Sequence, residues 1–174
     1  MPIVPTADII HPALRSYQST EVLPYATLDP ILKALFEAKA RKGLTFEKIA
    51  SELERDEVWV AALFYGQAKP TAEDIARLSE VLGISDQSFR QLGAQWWPHR
   101  GALTQMPPTD PVIYRLYEGV MVYGEPIKAV IHEKFGDGIV SMIDCKVHVE
   151  KKPDPKGDRA VITFDGKFLP YVKW

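Results

Sequence analysis

Apolar side chains recur at intervals of three and four residues over residues 28–92, and this spacing predicts a series of short amphipathic helices. In the first helix, Ile31, Leu32, Leu35 and Phe36 share one face. Residues that favour helix starts and stops punctuate the series. Predicted helices begin near Leu28, Thr45, Asp56, Pro70–Thr71 and Ser85, and the first, third, fourth and fifth end near Gly43, Gly66, Gly83 and Leu92.

Two local features strengthen this prediction. The segment Thr71–Asp74 resembles a capping box in which Asp replaces the usual Glu. The helix after Thr45 and the helix that follows it are separated by a tight turn, as in the helix-turn-helix bundle of phage repressors. This resemblance predicts a phage-repressor-like helical bundle and by itself assigns no function.

After residue 110 the pattern first predicts helix and then strand. Pro111 suits the first position of a helix, which we expect to reach Tyr123 before Gly124 and Pro126 break or restart it. A second helical piece is predicted over residues 127–135. The Gly136–Gly138 turn then ends the helical part of the pattern.

Three strands are predicted beyond this turn, at residues 139–149, 160–164 and 167–172. Segment 151–158 contains two prolines and a glycine, and joins the first strand to the second. Asp165–Gly166 is a two-residue signal for a hairpin between the second and third strands.

Prolines and the change of pattern divide the chain into four parts. Residues 1–27 are rich in proline and lack helical periodicity, which predicts an arm that is ordered only against something else. Residues 28–95 form the predicted bundle, residues 96–110 an extended connector, and residues 111–174 a small helix-plus-strands domain. The predicted fold class is α+β.

The helix-plus-strands domain is too thin to bury its own apolar residues. Its last strand ends in a run that exposes much apolar surface in a single chain. The run contains Phe168, Leu169, Tyr171, Val172 and Trp174. We therefore expect this domain to be buried against another copy of the chain.

Composition narrows the class of protein. The chain has 174 residues, of which 46% are hydrophobic, so it can form a buried core. A net charge of −2 lacks the basic excess of a nucleic-acid binder. The single cysteine, Cys145, excludes an intrachain disulfide framework and fits a reducing compartment. No apolar run is long enough to span a membrane and the start lacks a secretion signal, so we expect a cytoplasmic protein without a membrane partner.

Spacing alone offers few candidates for chemistry. Arg115 and Glu118 are three residues apart and lie on one side of a helix, where the pair is either a surface ion pair or part of a site. Ser141 follows the glycine turn and is either a hydrogen-bonded core serine or a functional hydroxyl. The four histidines are scattered and no phosphate-binding motif is present, so neither a metal site nor nucleotide chemistry is predicted.

Three stretches resemble the cyanase (cyanate hydratase) family: Tyr114-Arg-Leu-Tyr-Glu118, His132-Glu-Lys-Phe-Gly-Asp-Gly138, and the strand-like run Ile139–Val149. The resemblance is strongest over residues 114–173 and looser over 28–83. It implies catalytic roles for Arg115, Glu118 and Ser141. It also implies carboxy-terminal domains that intertwine in a dimer, and a homodecamer built as a pentamer of such dimers.

The implied reaction joins cyanate to bicarbonate as co-substrate, giving carbamate, which breaks down to ammonia and carbon dioxide. Because both substrates are anions, we expect Arg115 from more than one chain to hold them and Ser141 to donate a hydrogen bond. Glu118 either orients Arg115 or, if protonated, donates a hydrogen bond itself. No metal or organic cofactor is expected.

Two other functions compete with the enzyme hypothesis. A helix-turn-helix DNA-binding regulator would explain the bundle, but the candidate recognition helix, Asp56–Gly66, has no arginine or lysine and begins with two acids. An assembly module without catalysis would leave Arg115, Glu118 and Ser141 with structural roles only.

Overall fold

The computed structural model describes residues 25–93, 96–98, 100–101 and 106–173, so the predicted arm lies almost wholly outside the described residues. Helices and an antiparallel pair of strands make up this part of the chain, which confirms the α+β class. The elements are α1 (Pro30–Arg41), α2 (Phe46–Leu53), α3 (Glu57–Phe64), α4 (Ala72–Leu82), α5 (Asp86–Gly93), α6 (Pro111–Phe135), β1 (Gly138–Lys152) and β2 (Arg159–Pro170).

Side-chain caps set the starts of the bundle helices. The Thr45 hydroxyl accepts a hydrogen bond from Lys48 N at 3.1 Å, and the Asp56 carboxylate accepts one from Val58 N at 2.8 Å. Thr71 and Asp74 form a reciprocal capping box. These caps confirm the predicted starts, and each stabilises its helix by about 1 kcal/mol.

The buried core lies entirely within α1–α5 and the turns between them. Aromatic rings form its centre: Phe36, Phe46 and Phe64 meet edge to face with centroids 5.3 to 6.4 Å apart. Aliphatic side chains from all five helices belong to the same buried cluster. The largest fully buried side chains are Phe64, Phe89, Leu35, Ile49, Leu53, Leu63, Leu82 and Val60.

Helix α6 corrects the prediction of a break at Gly124 and Pro126. It runs unbroken for 25 residues, with Pro126 inside it and none of its residues buried. The fixed φ of proline is compatible with a helix, so α6 loses the hydrogen bond that Pro126 cannot donate and continues. Glycine inside a helix costs only about 1 kcal/mol, which does not end a long helix.

The strands correct a second prediction. There are two long strands in the described sheet and not three, and they pair antiparallel, with Val147 opposite Phe164. Their connection is the segment 153–158, whereas Asp165 and Gly166 lie inside β2. The predicted hairpin turn at Asp165–Gly166 is therefore wrong. Gly166 instead pairs with Cys145 at the edge of a β-bulge in β1.

Few contacts join the β1–β2 hairpin to the helices among the described residues. The Phe135 and Phe168 rings stack at 5.2 Å, which holds the end of α6 against β2. His148 Nδ1 lies 2.8 Å from Asp56 Oδ2, which links β1 to the start of α3. None of the described helices is both long and apolar enough to cross a membrane.

Candidate active site

Arg115 and Glu118 project from the first two turns of α6. Asp110 caps this helix, accepting hydrogen bonds from Val112 N at 2.9 Å and Ile113 N at 3.0 Å, and Pro111 occupies the first turn. One helical turn separates the two charged residues. The Arg115 Nη1 atom lies 2.6 Å from Glu118 Oε2, so the predicted pair forms.

The ion pair leaves most of the guanidinium available. The side chain of Arg115 is 72% exposed and that of Glu118 is 46% exposed in the single chain. The hydrogen bond that Arg115 donates to Glu118, and then the charge of Glu118, raise the pKa of Arg115 above its ordinary value, which keeps the guanidinium protonated. Because the ion pair engages Nη1, the other nitrogens remain free to donate to an anion.

Ser141 lies at the start of the β-bulge in β1 and is only 6% exposed. Its hydroxyl oxygen accepts hydrogen bonds from Ile143 N at 3.1 Å and Asp144 N at 2.9 Å. A hydroxyl has two acceptor positions and one proton. With both acceptor positions occupied by backbone N–H groups, the proton is the part of Ser141 that is left to bind a ligand.

The three predicted residues fall into two separate places in one chain. Arg115 and Glu118 contact each other, but no hydrogen bond or ion pair joins either of them to Ser141 among the described residues. A single chain therefore offers an exposed Arg–Glu ion pair on α6 and a separate buried hydroxyl in β1.

Apolar surface lies on α6 next to the Arg115–Glu118 pair. A groove of about 600 Å³ runs along α6 past Leu116, Val120, Tyr123 and Ile127. Other apolar side chains are exposed on the hairpin. They include Ile139, Met142, Ile143, Phe164, Leu169, Tyr171 and Val172. An exposed apolar surface this extensive is typical of an interaction surface.

Sequence reasoning missed Gly166 as part of the site. Its Cα lies opposite the bulge that holds Ser141, where an added Cβ would come within 2.6 Å of the Ser141 carbonyl oxygen. The Asp-Gly pair in the sequence is the available signal. Asp-Gly pairs are typical of hairpin turns, so the sequence predicts a turn here and not a close contact between strands.

Other candidates from the sequence acquire no role in this geometry. His11 and His99 lie outside the described residues. Within the described residues, no three His, Cys, Asp or Glu side chains lie close enough together to hold a metal ion. The Cys145 thiol is half-buried and makes only a weak contact with the Lys146 carbonyl oxygen at 3.7 Å.

The start of α3 is unsuited to enter a DNA groove. Helix-turn-helix proteins contact base edges with the first residues of the recognition helix. In this chain Asp56, which caps α3, is engaged by His148 of β1, and Val60 and Phe64 are buried. The helix is therefore committed to contacts within the protein.

The family comparison points to one group of enzymes. Residues 105–173 match the family model described as the cyanate lyase C-terminal domain. The cyanate hydratase of Laccaria bicolor is 61% identical over 165 residues, covering 91% of this chain and 99% of the relative. The cyanate hydratase of Coprinopsis cinerea is 66% identical over 148 residues, covering 84% of this chain and 97% of the relative.

A solved structure supports the same grouping. The crystal structure of cyanase from T. urticae matches with a TM-score of 0.71 and 39% sequence identity. The match covers 80% of this chain and 96% of the other. The similarity thus extends over the bundle as well as the part that carries Arg115, Glu118 and Ser141.

Proposed function

The chain belongs to the cyanase family, and from that premise we propose that it decomposes cyanate in a bicarbonate-dependent reaction. As a cyanate hydratase it is a carbon–nitrogen lyase. The observation that carries the proposal is the 61% identity over 99% of a relative that is a cyanate hydratase. The geometry of three side chains supports the roles assigned below.

In the proposed reaction, a bicarbonate oxygen adds to the electrophilic carbon of cyanate. The adduct carries two negative charges. It loses carbon dioxide and takes up one proton from solvent, which leaves carbamate. Carbamate then takes up a second proton from solvent and breaks down to ammonia and a second carbon dioxide without help from the protein.

Arg115 would bring the two anions together. Two like charges about 4 Å apart repel by roughly 4 kcal/mol at an effective dielectric constant of 20, so cationic donors must already be in place. The exposed nitrogens of Arg115 supply forked N–H donors and a charge that persists at all working pH values. This chemistry requires positioning and charge, and needs no metal or organic cofactor.

Ser141 would act as a hydrogen-bond donor. Its oxygen already accepts from two backbone N–H groups, which withdraw electron density from it and hold its orientation. A hydroxyl in this state is a poor nucleophile and a good donor. We therefore assign it to an oxygen of the anionic adduct and not to covalent attack.

Glu118 would orient Arg115. A carboxylate that faced the substrates directly would repel them, whereas the 2.6 Å ion pair directs its charge to the guanidinium. The ion pair also holds one nitrogen of Arg115 in place, so the side chain loses less conformational freedom when the anions bind. The short ion pair favours this role over that of a protonated donor.

The proposed site is completed by other copies of the chain. Arg115 lies beside an apolar groove that one chain leaves open, and Ser141 lies apart from it. We propose that residues 111–174 form an intertwined dimer, that five dimers form a decamer, and that residues 28–95 form a separate bundle linked by the 96–110 connector. The site would then lie between subunits.

The proposal is tested by ammonia release from cyanate, with and without added bicarbonate, against a protein-free blank. Bicarbonate-dependent release above the blank is expected. Arg115→Ala should lower kcat about 100- to 1,000-fold, as expected for the loss of a preorganised donor. Arg77→Ala is the matched control, because Arg77 forms an exposed ion pair with Glu73 on the bundle.

No bicarbonate-dependent release from an assembled oligomer would contradict the proposed activity. Equal losses from Arg115→Ala and Arg77→Ala would contradict the assignment of Arg115 to the site.

A further inference from the structure

The β-bulge around Ser141 is unusually large. Val140 pairs with Phe168 and Cys145 pairs with Gly166, so residues 141–144 of β1 stand opposite Lys167 alone. Most bulges insert a single extra residue. The backbone must therefore loop out of the sheet between Val140 and Cys145.

The Ser141 side chain closes this loop. Residues inside a bulge lose their partners on the opposite strand. The Ser141 hydroxyl accepts hydrogen bonds from the backbone N–H groups of Ile143 and Asp144, so these two groups have a partner inside the bulge. As a result Ser141 points inward and is 6% exposed, whereas Met142 and Ile143 point outward and are 64% and 90% exposed.

Gly166 provides the space in which the loop bends. An added Cβ would lie 2.6 Å from the Ser141 carbonyl oxygen and 2.6 Å from Val140 Cγ1. Real Cβ atoms essentially never approach other atoms so closely. The φ of Gly166 is not in the left-handed region, so its backbone conformation alone would accept a side chain. Close approach of the opposite backbone is therefore the reason for glycine at this position.

We infer that Gly166 is a positioning residue for the reaction, because its missing side chain sets the place of the Ser141 backbone and so the direction of the Ser141 hydroxyl. This inference rests on the proposed donor role of Ser141. A Cβ at position 166 must push the carbonyl of Ser141 away from β2. The hydroxyl belongs to the same residue and moves with it, which weakens the hydrogen bonds that it accepts from Ile143 N and Asp144 N.

Four variants of the full chain test the inference: Gly166→Ala, Ser141→Ala, the double variant, and Gly157→Ala. Gly157 is the matched control, because its φ of +121° strains an alanine in the same hairpin while its Cβ would meet nothing within 4 Å. Assembly is checked by light scattering, and kcat and KM are measured from ammonia release.

Gly166→Ala should lower kcat about 100-fold, the scale expected when a reacting group is misplaced by about 1 Å. In the Ser141→Ala background the same substitution should change kcat less than about twofold, because no hydroxyl remains to be misplaced. Gly157→Ala should lower the melting temperature and leave kcat unchanged. A purely structural role of Gly166 would lower activity equally in both backgrounds.

Hydrogen exchange gives an independent readout. In the parent protein the amides of Ile143 and Asp144 should exchange slowly, since both donate to Ser141. Gly166→Ala should speed their exchange at least tenfold, and Gly157→Ala should leave it unchanged. Unchanged exchange in Gly166→Ala would overturn the inference.

Two further outcomes separate this inference from the proposed function. If Ser141→Ala keeps full activity, the donor role itself is wrong. If Ser141→Ala loses activity while Gly166→Ala keeps it, only the inference about Gly166 is wrong.

If Gly166→Ala does not assemble, the double variant Val140→Ala/Gly166→Ala replaces it, because it removes the contact with Val140 Cγ1. It is expected to show the same loss of kcat and the same faster exchange. Val140→Ala alone is its control. Failure of this double variant to assemble would also overturn the inference, because Gly166 would then be required for folding and not for the placement of one hydroxyl.

Discussion

The bundle and the α6–hairpin half of this chain differ in where their apolar side chains lie. In the described part of the chain, the buried apolar core lies between Leu32 and Leu92, in the bundle. Among residues 111–173, Ser141 alone is buried, and large apolar side chains are exposed along α6 and both strands. The bundle therefore has a core of its own, whereas the second half has apolar surface and no core.

This difference bears directly on function, because Arg115, Glu118 and Ser141 all lie in the half without a core. A site on such a half takes its final geometry from whatever covers the apolar surface. Catalysis should therefore be lost with assembly, while changes in the bundle core should act on folding.

A charge on the α6 groove should abolish assembly. Val120→Asp places a carboxylate in the groove beside Leu116 and Tyr123, and burying this unpaired charge in the proposed assembly would cost several kcal/mol. We expect dissociated chains without cyanate turnover, seen by light scattering and ammonia release, and a bundle that still unfolds cooperatively. Ser51→Asp, on the exposed face of α2, should leave both assembly and turnover intact. An active decamer formed by Val120→Asp would contradict a site that depends on this apolar surface.

Truncation of the bundle core should destabilise the bundle itself. Phe64 is fully buried between the Phe36 and Phe46 rings, so Phe64→Ala should lower the free energy of unfolding by about 3–5 kcal/mol. Denaturant unfolding followed by circular dichroism measures this. Phe164→Ala, on an exposed ring of β2, should shift the concentration dependence of assembly and leave the bundle transition unchanged. Equal effects on the bundle transition would contradict the division.

A smaller loss is expected at the buried carboxylate of α4. Asp74 accepts hydrogen bonds from Thr71 N at 2.9 Å and Arg55 Nε at 3.1 Å. Asp74→Asn keeps its size and removes its charge, and should destabilise the bundle by about 1–3 kcal/mol with kcat unchanged. Glu73→Gln, which breaks only an exposed ion pair with Arg77, should cost less than about 1 kcal/mol. A drop in kcat for Asp74→Asn would link the bundle to the site.

The smallest effect is expected at the hairpin connection and depends on pH. The hydrogen bond from Arg159, and then that from Lys156 N, lower the pKa of Asp154. Its contribution to stability is present above the unfolded pKa of about 3.9 and is lost as the pH falls through the lower folded pKa. Asp154→Asn should lower the melting temperature slightly at pH 7 and not at all in strong acid. An equal difference at both pH values would show that the charge has no role.

The sequence predicted the bundle better than the second half for a physical reason. Thr45, Asp56 and Thr71 cap their helices through contacts within three residues, so the sequence alone reveals them. Pairing of β1 with β2 joins residues up to 32 positions apart, as for Gly138 and Pro170. The Asp165–Gly166 pair carried the signal of a local turn, but its role is set by the bulge in the distant strand.

The candidate site shows the same limit. The i, i+3 spacing of Arg115 and Glu118 predicted their ion pair, which the structure contains. No spacing in the sequence could connect them with Ser141, because the three do not meet within one chain. The family resemblance is what assigns their roles. The close approach of Gly166 to Ser141 depends on the register of the β1–β2 hairpin, which the sequence does not reveal.

We propose that Arg115 and Ser141 act on one site from different chains. To test this, Arg115→Ala and Ser141→Ala chains are coexpressed under two affinity tags, and the mixed assemblies are purified through both tags. Bicarbonate-dependent ammonia release should rise well above that of either variant alone, because some mixed sites receive an intact Arg115 from one chain and an intact Ser141 from another. No recovery in confirmed mixed assemblies would contradict the claim and place both residues of each site on one chain.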